Sequence, residues 1–79
     1  MTAAAETRRF LVHPAHHRGE GHVVADATDF QDAAFAFVER WSPAPDEGGE
    51  VRLIVCECET GHTECFRIDL DAGEAAPCD

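Results

Sequence analysis

Cys56-Glu57-Cys58, with Cys65 and Cys78 downstream, is the grouping with the widest chemical scope in this 79-residue sequence. Read as a strand, C-x-C sends both sulfurs to one face, because side chains alternate with period two. A two-residue turn at Thr60-Gly61 sets Cys65 directly opposite Cys56 on that face. Three thiols together raise two chemistries. One is zinc, held by about four ligands, with thiolate sulfurs about 2.3 Å away. The metal set would be Cys56, Cys58 and Cys65, completed by Cys78 or by His13, His16 and His17. The other is a Cys56–Cys65 disulfide or thiol-redox sensor. C-x-C along a regular strand splays its side chains, whereas zinc knuckles use a turn to converge them. The reading preferred over both is therefore reduced cysteines packing as small apolar groups, with no cofactor and zinc as the alternative.

Histidine supplies the second grouping. His13, His16, His17 and His22 flank and fill the segment PAHHRGEG, and a turn there could gather imidazoles around a metal. No H-E-x-x-H accompanies them, so solvated loop histidines are expected, with charge appearing as pH falls toward about 6.5. Glu57, Glu59, Glu64 and His62 form a third grouping near the turn. In that register Glu57 faces Glu64, an unfavourable pairing unless a cation or solvent relieves it. The chain has no G-x-S-x-G, P-loop, Rossmann glycine pattern or C-x-x-C. It is read as non-enzymatic.

Charge narrows the partners. Sixteen acids against six bases, all arginine, leave a net charge of -10. Such a chain is repelled by phosphate backbones, which argues against nucleic acid. A basic protein partner, or no charged partner at all, fits better. No stretch is apolar enough for a signal peptide or a bilayer span. The expectation is a cytoplasmic protein with no membrane association.

The elements that position these groups follow from periodicity. Residues 7–13 (TRRFLVH) and 22–25 (HVVA) read as short strands around a Pro/Gly-punctuated loop. Thr28-Asp29-Phe30-Gln31 has capping-box spacing, with Thr28 as the cap. Phe30, Ala33, Ala34, Phe37, Val38 and Trp41 then recur at helical intervals. Ser42-Pro43-Ala44-Pro45 ends the helix. The clearest element is the hairpin over residues 51–70. Its two-residue turn pairs Val55 with Phe66, Leu53 with Ile68, Val51 with Leu70, and Arg52 with Asp69 on the reverse face.

The predicted fold is α+β. It has two layers in the order β-β-α-β-β, a four-stranded mostly antiparallel sheet with one helix packed on one face. The whole chain makes a single domain with an ordered core over about residues 7–71 and flexible termini at 1–6 and 72–79. One helix leaves the second sheet face uncovered. Phe35 lies off the helix stripe, and Ile54 and Arg67 fall on the uncovered face, so these three are the candidate interaction residues. Association, as a homodimer or with a basic partner, is the expected mode of action.

Overall fold

The computed structural model describes residues 7–78. The segment 1–6, expected to be a flexible terminus, lies outside the described residues, as does Asp79. The strands are β1 (Arg8–Pro14), β2 (His22–Ala27), β3 (Glu50–Glu57), β4 (Thr63–Asp69) and β5 (Glu74–Pro77). A single 3-10 turn (Arg18–Glu20) interrupts the loop before β2, and helix α1 (Phe30–Trp41) follows β2. The sheet order is β2-β1-β3-β4-β5, with every neighbouring pair antiparallel. β2 and β3 both oppose β1 and so run parallel to each other. Joining parallel strands of one sheet requires a crossover, and α1 supplies it across one face.

The α+β class and the single covering helix agree with the sequence expectation; the number of strands differs. A fifth strand occupies part of the segment expected to be a loose tail. The turn before it is built by Asp69, whose Oδ1 accepts from the backbone N–H of Asp71 and Ala72, at 3.0 and 3.1 Å. Gly73, at φ 69°, donates to the Asp69 carbonyl and turns the chain back along β4.

The helix has the predicted span but a different cap. Asp29 rather than Thr28 is the N-cap, accepting from Asp32 N–H at 2.7 Å. The Asp32 carboxylate in turn accepts from the Thr28 backbone N–H and hydroxyl. The reciprocal logic of a capping box is kept, displaced by one residue, with Asp32 in the role expected of Gln31. At the other end Ser42 adopts the left-handed region and donates to the Val38 carbonyl, after which Pro43 cannot extend the helix. Arg40 in the last turn grips Asp26 at the end of β2 through two hydrogen bonds of 3.0 and 2.7 Å. That guanidinium holds the Asp26 carboxyl below its ordinary range.

The core lies between α1 and the facing side of the sheet. Phe10, Val12, Val24, Phe37, Val51, Leu53, Val55, Phe66 and Ile68 are all buried there. Each large side chain contributes roughly 1.5–3 kcal/mol through burial, before entropy is subtracted. Of the hairpin residues assigned to the core, Leu70 alone is missing: it sits in the turn after β4 and is exposed. Phe35, expected off the stripe, is half-buried and packs against this core from the helix.

The β3–β4 register differs by two residues from the expected one. Val51 faces Ile68, Leu53 faces Phe66 and Ile54 faces Cys65. An even slip preserves which face each side chain occupies, so the core assignment survives while every cross-strand partner changes. Arg52 faces Arg67 rather than Asp69, and Cys56 faces Thr63 rather than Cys65. The cause is a four-residue loop in place of the two-residue turn. Gly61, at φ 76°, donates to the Glu57 carbonyl, and Glu57 N–H donates to the His62 carbonyl, both at 2.8 Å.

Candidate functional site

The loop joining β3 to β4 explains the wider turn. Glu57 projects to the core side and is buried. Its carboxylate accepts from the Thr60 hydroxyl at 2.8 Å and pairs with Arg8 at 3.2 Å. The buried acid thus ties the loop to the start of β1. Breaking such a contact would leave an uncompensated charge. Glu64 faces Val55 instead of Glu57, and His62 lies 3.4 Å from Glu64. His62 also meets the Phe30 ring edge to face, with centroids 5.2 Å apart. The feared Glu57–Glu64 pairing does not arise.

The sheet face away from α1 carries the cysteines. Alternation along the strands places Val23, Leu11, Cys56 and Thr63 in one cross-strand row. The next row runs through His13, Ile54, Cys65 and Cys78, the last two opposite each other with Cys78 N–H donating to the Cys65 carbonyl at 3.0 Å. Arg52, Arg67 and Ala76 follow, and Glu50, Asp69 and Glu74 close that end. Leu11 is 40% exposed and Val23 54%, so the first row reaches solvent, while Ile54 in the second is half-buried. Among the interaction candidates, Ile54 and Arg67 lie on this face and Phe35 does not.

Cys65 and Cys78 form a disulfide with Cα atoms 5.3 Å apart, within the span such a bond needs. This corrects two expectations, the Cys56–Cys65 pairing and four reduced thiols. Cys56 is a half-buried free thiol and Cys58 an exposed one. The missed signal was the second turn: folding back about Asp71-Ala72 sets Cys65 opposite Cys78.

Besides His62 in the β3–β4 loop, the histidines fall in three places. His13 sits on the open face, and its Nδ1 lies 2.8 Å from the Pro14 carbonyl. His16 and His17 are exposed and line a cleft of about 410 Å³ beside Asp46, Glu50 and Arg52. Asp46 is committed to its own turn, accepting from Gly48 and Glu50 N–H at 2.9 and 3.0 Å. A neighbouring cleft of about 550 Å³ is bordered by His22, Phe37, Trp41 and Pro43. There His22 stacks on Trp41 at 4.2 Å with the rings 5° from parallel, a contact the sequence pattern did not expose. Among the described residues, no three or more His, Cys, Asp or Glu side chains converge as a metal-binding group. The proposed zinc donors are thus spread over the open face, the cleft and a disulfide. No helix of the described residues is long and apolar enough to cross a membrane.

Comparison with known proteins adds a family but no activity. The chain belongs to a family of unknown function, DUF5961, whose model matches residues 8–79. It matches no curated protein and no solved structure at a significant level.

Proposed function

We propose that this protein acts by association rather than catalysis, and that the occupant of its open sheet face is a second copy of the chain. The observation carrying this reading is the pair of rows through Leu11, Val23, Ile54 and Cys56, over which no layer of the described residues packs. Contiguous apolar surface of this kind marks association sites more often than scattered exposed residues do.

Charge favours a copy of the same chain over a basic partner. The protein carries -10 in total. Arg9 precedes Leu11 by two residues in β1 and so shares its face; with Arg52 and Arg67 it offsets Glu50, Asp69 and Glu74 there, three positive charges against three negative. Two copies approaching through this face avoid the repulsion they meet elsewhere. The face measures roughly 20 Å by 20 Å, or about 400 Å² in projection. That is below the roughly 800 Å² per partner of a standard interface, so the dimer is reversible and concentration-dependent.

Sedimentation equilibrium over a wide concentration range tests the proposal. Adding salt toward about 1 M shortens the screening length to about 3 Å. The residual repulsion between acidic copies then fades, and the dimer should tighten. Leu11→Asp combined with Val23→Asp should leave the fold intact and abolish the dimer. A monomer at every concentration would remove the second copy as occupant. Association with a basic protein that weakens with salt would identify the other kind of partner.

A further inference from the structure

We propose that Cys65–Cys78 is a reversible thiol–disulfide site that takes a dithiol reductant, and that its state controls β5 and, through β5, the open face. The control of association rests on the dimer reading above; the chemistry and the effect on β5 do not.

β5 is poorly held by anything except this bond and its pairing with β4. It is four residues long, on the margin of the sheet, and among the described strands pairs only with β4. Beyond Glu74, which is exposed, its side chains are two alanines and a proline, and Ala75 is its contribution to the core. The turn that leads into it is exposed from Leu70 to Gly73. Short peripheral elements with few apolar contacts open before the rest of a domain. The disulfide closes the far end of this strand, at a sequence separation of 13. It shortens the excursions available to the loosened chain. Both cysteines are half-buried rather than enclosed in the core.

The reaction balances without further components. One thiolate of the dithiol attacks Sγ of Cys78. The Cys65–Cys78 bond breaks, and Cys65 leaves as a thiolate that takes a proton from water. The second thiolate of the reductant then attacks its own sulfur in the mixed disulfide. Cys78 leaves as a thiolate and is protonated, and the reductant departs as its disulfide. Two electrons and two protons have entered the pair.

The link to association is positional. Cys65 lies directly opposite Ile54, inside the apolar row proposed to meet the second copy. Covering that row shields the disulfide from the reductant. Loosening β5 removes Ala76 and Cys78 from the same surface. By reciprocity, dimerisation protects the bond to the degree that reduction weakens the dimer.

The experiment uses the full chain with dithiothreitol as the reductant. Native alkylation of the oxidised protein should label Cys56 and Cys58 only. After dithiothreitol it should label all four cysteines, and reoxidation should restore the Cys65–Cys78 pair. Amide exchange in β5 should accelerate by about tenfold or more on reduction, while the amides of Leu53 and Val55 stay protected. Cys78→Ser without reductant should reproduce the fast exchange. Unchanged β5 exchange after reduction, or recovery of a Cys56-containing disulfide as the main product, overturns the proposal. Sedimentation of the same samples separates its two parts. A monomer in both redox states defeats the dimer reading and leaves the β5 result to decide the latch. A dimer of equal affinity in both states overturns the redox link alone.

Discussion

Leu53 and Ile54 are consecutive residues of one strand, similar in size and apolarity, yet the sheet gives them different roles. Leu53 faces α1, opposite Phe66, and is fully buried. Ile54 faces away, between His13 and Cys65, and is half-buried. On the helix side, closely packed side chains hold the fold together. On the other side, similar residue types have strand neighbours and, among the described residues, no covering layer. Apolar composition alone therefore does not identify a core; a second layer does.

The comparison breaks most visibly under truncation. Leu53→Ala should lower the unfolding free energy by about 2–5 kcal/mol, since it leaves a cavity beneath the helix. Ile54→Ala should cost less than about half of that when measured by urea unfolding at monomeric dilution. Equal losses would mean that the open face is packed as tightly as the covered one.

A smaller effect tests the layer that makes the difference. Removing the helix cap by Asp29→Ala should cost about 1 kcal/mol, because the Asp32 amide loses its acceptor. Thr28→Ala should cost less, since the Thr28 backbone N–H still reaches Asp32. The reverse ranking in thermal unfolding would restore Thr28 as the cap.

The smallest effect concerns the tie between α1 and β2. Arg40 lowers the Asp26 pKa in the folded protein, chiefly through its hydrogen bonds. The stabilisation is therefore present above the unfolded carboxyl value of about 3.9 and is lost as pH falls through the lower folded value. The melting temperatures of the native chain and Asp26→Asn should differ slightly at about pH 6 and converge in acid. Both side chains are exposed, so added salt should also shrink the difference. A gap that widens in acid would contradict the assignment.

Most of the fold was legible because it depends on period. Alternation in β3 and β4 assigned faces correctly, and the helical spacing from Phe30 to Trp41 set the span of α1. Cross-strand partners were less legible because they depend on loop length. Gly61 suited both a tight turn and the wider loop. The deciding contacts, Thr60 and Arg8 on the buried Glu57 carboxylate, join residues far apart in sequence. The disulfide was hidden by the same limitation, since it required a strand where the sequence suggested a tail. Ile54 and Arg67 were placed on the open face by alternation alone, and the two-residue slip left them there.

Pro77 has a consequence for aggregation. Cys78 N–H points into the sheet toward Cys65, so the preceding nitrogen points outward along the free margin of β5. Proline has no hydrogen at that nitrogen and so offers no donor there to an incoming strand. At the opposite margin, the pairing of β2 is distorted by the register shift between Arg8 and Phe10. A flat template for strand addition is thereby spoiled at one border and short of a donor at the other. Open-ended growth into fibres through these margins is disfavoured, and the proposed contact between faces uses neither of them.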